Sequence, residues 1–269
     1  MARDFQKKIR VALIGNGVIA HQIAAFCASQ AQDLEIVGAL TRSTEKAPAG
    51  AYPLTHSLSH LFGWHPDLVI ECASHSAVIE YGPSILSSGV DLIIISAGSL
   101  SDDTLYDCLM RASRRGGGQL KVAAGALPGI EALVAARLGG LATVKLLTSK
   151  PPNAWKGTPA DQAFDLLSLK SATTIFSGTA REAAHKYPKN ANVAAIAALA
   201  GIGFDRTQVA LVADPGLTQN THRLDAAGSF GKMHVVIEAN PSPKNPKTSL
   251  IAALSLLRLL DQQIASISL

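Results

Sequence analysis

The sequence predicts an α/β chain, with a doubly wound parallel sheet followed by a second α+β domain, and three observations point there. An apolar stretch over residues 10–20 (RVALIGNGVIA) runs into the pattern Gly15-x-Gly17-x-x-Ala20 and then into helical periodicity. Strand-length apolar runs alternate with helical segments as far as residue 123. Beyond that point the strands alternate polar with apolar residues, and the loops carry more Pro and Asn.

The first reversal has a physical reason at each position. Gly15 permits the tight turn, Gly17 lets the backbone approach an anion, and small Ala20 lets the helix pack close to the strand. The N–H groups that open the helix, at Val18 and Ile19, then face a dinucleotide pyrophosphate at the positive end of the helix dipole. A tight turn with no ligand is the competing reading. The strand before the motif and the helix after it favour a Rossmann-type cofactor site. Residues 34–40 (LEIVGAL) form the second strand, whose end sits beside the adenosine ribose. A carboxylate there would bind the ribose hydroxyls of NAD, whereas an Arg accommodates the 2′-phosphate of NADP. This strand is followed by Thr41, Arg42 and Ser43 with no acid among them, so the expected cofactor is NAD or NADP. A merely solvated Arg42 is the alternative.

A polar region over 43–66 leads into a strand at 68–72, a helix at 77–87, a strand at 91–96, a helix at 102–115 with Ser101 as N-cap, and a strand at 119–123. In such sheets the ligand crevice lies at the carboxyl ends of the strands, which places Ala73, Ser74, Ser96, Ala97 and Gly98 toward the nicotinamide half. Plain turn formation explains each of these small residues as well. The second section offers helices at 129–139, 179–185 and 191–200 and strands at 144–149, 208–213 and 232–239. A last helix over 249–266, apolar on a broad face, is expected to return to the first domain. The expected domains are therefore 1–125 joined by the terminal helix of 249–269, which bind the dinucleotide, and 126–248 for substrate and oligomerisation.

Composition narrows the class. The 269 residues can bury a substantial core, and 48% are apolar while only 5% are aromatic. The longest apolar helical stretch, 191–204, is too short to span a bilayer and contains two glycines. The polar start MARDFQKKIR lacks the apolar run of a signal peptide, so a soluble cytoplasmic protein is expected, with no membrane partner. Three widely spaced cysteines, Cys27, Cys72 and Cys108, fit neither a disulfide framework nor a zinc site, and no metal is expected. The net charge of +4 is scattered without an aromatic-basic motif, which argues against nucleic acid and suits anionic cofactors and substrates.

Taken together, the chain resembles the L-aspartate dehydrogenase family, often linked to bacterial NAD biosynthesis. The resemblance runs through Gly15 to Ala20, Glu71-Cys72-Ala73-Ser74, Ala124 to Leu133, Lys150-Pro151-Pro152, Phe176 to Ala183, Pro188 to Ala194, Ala213-Asp214-Pro215, Asn220-Thr221-His222 and Asn245 to Ser249. It implies oxidation of L-aspartate by NAD or NADP to iminoaspartate, which hydrolyses to oxaloacetate and ammonia or feeds quinolinate synthesis. It also places the catalytic histidine at His222 and cofactor contacts at Asn192 and at an alanine of the Ala124-Gly125-Ala126 turn, Ala126 before Ala124. Arg42 departs from what an NAD-only enzyme would carry.

The chemistry needs a group that moves protons near neutral pH, which suits a histidine with a pKa of about 6.5. Of eight histidines, His56, His60 and His65 lie in the polar segment, His21 follows the glycine turn, and His185 and His234 sit on regular elements. His75, at a strand end near the crevice, is the rival to His222. A small dicarboxylic amino acid needs two anion contacts. Lys150 after a strand, and Lys247 with Thr248 at a helix start, are the candidates, with solvated lysines as the alternative. Asn190 and Asn192 frame the Ala-rich helix and suit capping or ligand binding. Other readings are a related two-domain reductase, acting on dihydrodipicolinate or homoserine, and a non-catalytic NAD(H)-binding sensor. A homo-oligomer, at least a dimer, is expected from the sheet of the second domain.

Overall fold

A computed structural model describes residues 8–43, 52–242 and 245–267, without the side chains of residues 189 and 241–248. The chain divides into two compact units, Met1–Ala123 with Ala253–Leu269, and Ala124–Ala252.

The first unit contains β1 (Ile9–Ile14), α1 (Val18–Ser29), β2 (Leu34–Leu40), β3 (Leu54–Thr55), α2 (Leu58–Gly63), β4 (Leu68–Glu71), α3 (His75–Ser87), β5 (Asp91–Ile94), α4 (Asp103–Gly116) and β6 (Leu120–Val122). Its six strands run in the order β3-β2-β1-β4-β5-β6, every pair parallel. That is the Rossmann order, and it reverses direction between β1 and β4. Val11, Ala12 and Leu13 are wholly buried in central β1, as expected of a parallel strand covered on both faces.

Three local expectations are corrected. The region 43–66 is not simply polar connection: among its described residues it holds β3 and α2, too short for their periodicity to show. Residues 44–51 lie outside the described residues. Helix α3 begins at His75, because the Ser74 hydroxyl accepts the Ala77 N–H. Helix α4 is capped by Asp102, whose carboxylate accepts from the Thr104 and Leu105 N–H groups. Ser101 belongs instead to a 3-10 turn, Ala97–Ser101, and its hydroxyl donates to Gly98 O.

The second unit contains α5 (Ile130–Leu138), β7 (Leu141–Lys150), α6 (Pro159–Ala163), β8 (Thr173–Thr179), α7 (Ala180–Lys186), α8 (Ala191–Ala200), β9 (Gln208–Ala213), β10 (Asn220–Gly228), β11 (Gly231–Ala239), β12 (Pro241–Ser242) and β13 (Asn245–Ser249). Five strands form a mixed sheet in the order β11-β10-β7-β9-β8, in which only β7 and β9 pair in parallel among the described residues. One sheet face carries Val144, Leu146, Leu224 and Ala226, all buried, and α8 packs on β7 and on α5 and α7. Strands β8 and β10 were not expected from the sequence.

The chain ends with α9 (Leu250–Ile264). It starts after Ser249 because Ser249 still pairs with Pro241 in the β12–β13 ladder, so Lys247 and Thr248 sit on a strand and not at a helix start. Leu256 and Leu260 are fully buried in the core cluster that holds Val11, Leu13, Ile23 and Ile70. Lys121 Nζ adds polar links, 2.9 Å to Asp91 and 3.1 Å to Gln263 Oε1 on α9. Among the described residues no helix is long and apolar enough to cross a membrane.

Leu256→Ala leaves a cavity in the first unit's core and is expected to lower the unfolding free energy by about 2–5 kcal/mol in urea. A loss well under about 1 kcal/mol would mean that α9 does not build that core.

Candidate active site

In the first unit the glycine turn has the shape the motif requires. Gly15 adopts φ +110°, and a Cβ there would come within 3.1 Å of Cys72 O and 3.2 Å of Ala73 Cβ. Gly17 is the N-cap of α1, and a Cβ built on it meets nothing within 4 Å. The helix start has no side-chain cap and no acidic residue in its first turn. The N–H groups of Val18 and Ile19 therefore open a 12-residue helix with no side-chain cap, at the positive end of its dipole, an arrangement that fits a pyrophosphate. The turn is fixed from the side by Asn16, whose Oδ1 accepts the Tyr52 hydroxyl at 2.9 Å. Burial, followed by the charge of Cys72, raises Tyr52 to about 12, which keeps it a donor. Arg42 is exposed two residues beyond β2. Ala73 and Ser74 lie beyond β4, but their backbone N–H groups already donate to Glu71 Oε1, at 2.7 and 2.8 Å.

In the second unit β10 pairs with β7 so that His222 faces Thr148 directly. His222 is 4% exposed, and its Nδ1 lies 3.0 Å from Thr148 Oγ1. Lys150 follows Thr148 by two residues and so shares that face of the sheet. Its ammonium donates to Asn190 Oδ1 and lies 5.3 Å from the centre of the Trp155 ring, which is wholly buried. Trp155 is itself anchored by its Nε1–H to Val212 O, 3.1 Å away, and by the edge of Tyr187. Burial lowers Lys150 to about 8. Burial, and then the nearby Lys150 charge, lowers His222 to about 4. At neutral pH the cluster therefore pairs a neutral imidazole with a mostly protonated lysine.

The structure brings His222, Lys150 and Asn190 into one cluster, with Asn192 on the first turn of α8 next along the chain. Asn190 occupies the N-cap position of α8 but makes no side-chain cap, since its oxygen is taken by Lys150. Ala124 and Ala126 flank Gly125, at φ +60°, in a turn closed by the Leu127 N–H on Ala124 O. Lys247 and Thr248 lie on β13, and their side chains fall outside the described residues. Among the described residues His222 is the only buried histidine. The rival His75 opens α3 in the first unit. His56 and His60 are exposed yet bonded, to Thr41 O and to Thr55 Oγ1. Sequence reasoning missed Thr148, Trp155, Asn16 and the anchoring role of Glu71. Only the strand pairing of β7 with β10 singles out Thr148. Among the described residues no group of His, Cys, Asp and Glu could hold a metal ion.

A Rossmann-ordered sheet with a glycine turn, in one chain with a mixed-sheet unit that holds a cluster of His222 and Lys150, defines a two-domain oxidoreductase that uses a nicotinamide dinucleotide. Comparison with known proteins narrows the class. Residues 131–263 match the family described as "Aspartate dehydrogenase, C-terminal", and residues 15–123 match "Homoserine dehydrogenase, NAD binding domain". L-aspartate dehydrogenase of Cupriavidus taiwanensis is 40% identical over 97% of this chain and 100% of its own length. That of Ruegeria pomeroyi is 42% identical over 97% of this chain and 94% of its own. The crystal structure of aspartate dehydrogenase from Thermotoga maritima matches with a TM-score of 0.79 at 26% identity, covering 96% of this chain and 98% of that one. The chain belongs to the aspartate dehydrogenase family. Dihydrodipicolinate reductase from Paenisporosarcina sp. TG-14, at a TM-score of 0.54 and 14% identity over 95% of this chain and 94% of its own, shares the fold alone.

An NMR titration of the His222 ring should give a midpoint of about 4, moving upward in Lys150→Met. The unfolded ring titrates near about 6.5, so between the two values the unfolded chain binds the extra proton. This group's contribution to stability is present above that range and is lost as pH falls through the folded value. A native midpoint near about 6.5 would contradict the burial of the ring.

Proposed function

We propose that this chain oxidises L-aspartate with NAD or NADP, and that His222 is its acid–base residue. The cluster of buried His222 and Thr148 with half-buried Lys150 and Asn190, in a chain of this family, carries the reading. The cofactor's pyrophosphate seat is the turn at Gly15 and Gly17 with the N–H groups of Val18 and Ile19, and Arg42 serves the ribose end. Ala73, Ser74, Ala124 or Ala126, and Asn192 are the remaining cofactor contacts of this reading. A bound nicotinamide cofactor would supply the hydride acceptor for the substrate Cα. Lys150 supplies one carboxylate contact, with Asn190 beside it, and Lys247 with Thr248 supplies the second.

The low pKa of His222 is understandable in this reading. In the absence of substrate, burial first and the Lys150 charge second oppose protonation of the ring. A bound dicarboxylate brings two negative charges that offset the Lys150 charge, so the imidazole becomes a better base when its proton acceptor role is needed. Its Nδ1 stays oriented by Thr148 while Nε2 moves the proton of the amine, and later of the water that converts iminoaspartate to oxaloacetate and ammonia. Iminoaspartate that leaves before this hydrolysis would instead feed quinolinate synthesis, the physiological alternative of the proposal. Free Cys27, Cys72 and Cys108 suit a reducing cytoplasm. A homodimer completes the reading, with the mixed sheet of the second unit as its expected interface.

Purified protein should reduce NAD or NADP with L-aspartate at alkaline pH, but not with D-aspartate, L-glutamate or L-homoserine. His222→Ala should lower kcat by about 10²–10⁴-fold, the usual worth of a general acid–base group. Cofactor binding without turnover on any of these substrates would sink the dehydrogenase reading and leave the sensor. If Arg42 meets the 2′-phosphate, Arg42→Ala should raise KM for NADP about ten- to hundredfold and leave KM for NAD alone. Equal changes for the two cofactors would remove Arg42 from the site.

A further inference from the structure

Among the described residues Glu71 is the only charged side chain, histidine apart, that is buried, and it is 0% exposed. It ends β4 and folds back on the chain. Its Oε1 accepts the N–H groups of Ala73 and Ser74, at 2.7 and 2.8 Å, and the Ser96 hydroxyl at 2.9 Å. Its Oε2 accepts the Ser96 N–H at 3.1 Å. Three backbone donors and a hydroxyl form a cradle for an anion, and the chain fills it with its own carboxylate. Burial raises the pKa of Glu71, and the four hydrogen bonds work against that rise.

The cradle joins two neighbouring reversals, the one after β4 and the one after β5. The first of these is also the surface on which the glycine turn rests, since Gly15 has room for no side chain against Cys72 and Ala73. With those three N–H groups occupied, they do not compete for an anion with the uncapped start of the 12-residue helix α1.

We propose that Glu71 is a positioning residue of the cofactor crevice: its buried carboxylate locks the turns after β4 and β5 against the glycine turn and removes their N–H groups as competing anion sites. The inference rests on the reading of the Gly15–Gly17 turn as the cofactor seat. Glu71→Gln keeps the size of the side chain but sets an amide N–H₂ against donors, and a buried donor facing a donor is left unsatisfied.

The test compares wild type, Glu71→Gln and Ser96→Ala. NADH and NADPH binding is followed by fluorescence, KM and kcat are measured for each substrate at saturating partner, and folding is followed by circular dichroism. Glu71→Gln should raise both the Kd of reduced cofactor and the KM of oxidised cofactor by about tenfold or more, and Ser96→Ala by about threefold. KM for L-aspartate should stay within about twofold, because the Glu71 carboxylate and the Ser96 hydroxyl bond to one another and to the turns of the first unit. A merely structural role would lower the fraction of active protein and leave cofactor KM unchanged, and that pattern overturns the proposal. If Glu71→Gln fails to fold, Ser96→Ala decides alone: unchanged cofactor affinity overturns it. Wild type that binds neither nucleotide would instead defeat the reading of the glycine turn.

Discussion

At the carboxyl end of the parallel sheet two chain reversals press on each other, and the rest of the first unit is arranged around that contact. Gly15 turns the chain out of β1 at a φ open to glycine, directly against the backbone of Cys72 and Ala73. A side chain there would be strained at φ +110° and would crowd the chain just beyond β4, which pairs with β1 where the strand order reverses. Leu13 and Ile70 lie opposite one another in that pair, both with no exposed surface. Asn16 and Tyr52 hold the turn from one side, and Glu71 holds its support from beneath. The start of α1 is thereby presented bare, with its first N–H groups free of any side-chain cap. Local strain, close packing and an anion seat are three aspects of one contact.

The second unit solves a different problem. It holds His222 buried and Lys150 half-buried, so the charge of the lysine must be compensated by neighbours. Lys150 has an amide oxygen and the face of an indole, and even so burial moves it to about 8. His222 responds to the same surroundings by staying neutral. Low dielectric makes the pair sensitive to any further charge. Trp155 contributes by shape, as a buried wall pinned through its N–H.

Much of the framework was legible. Strand 34–40, helix 191–200 and strand 208–213 coincide with the observed β2, α8 and β9, because each is a run of apolar residues long enough for its period to show. Strand β10 was not legible for a physical reason. Its inward positions are His222, Leu224 and Ala226, and its outward positions include Arg223 and Asp225, so the site histidine occupies a position where the pattern calls for an apolar residue. Caps were ambiguous in a similar way: Ser101 and Asp102 both have the right chemistry, and only the 3-10 turn before α4 selects the aspartate. The start of α9 was set by pairing with Pro241, a contact between strands that helix-start signals do not encode.

By itself the sequence determined the alternation of strands and helices in the first unit, the glycine turn with its unblocked helix start, and the types of residue available for proton and anion chemistry. These are local properties, set by residues within a turn or two of one another. Which histidine is withdrawn from water beside a lysine was decided only by the tertiary structure. Thr148 and His222 are 74 residues apart in the chain and meet because two antiparallel strands adopt one register. Burial, and the pKa values that follow from it, sums over neighbours that the order of the sequence does not place together.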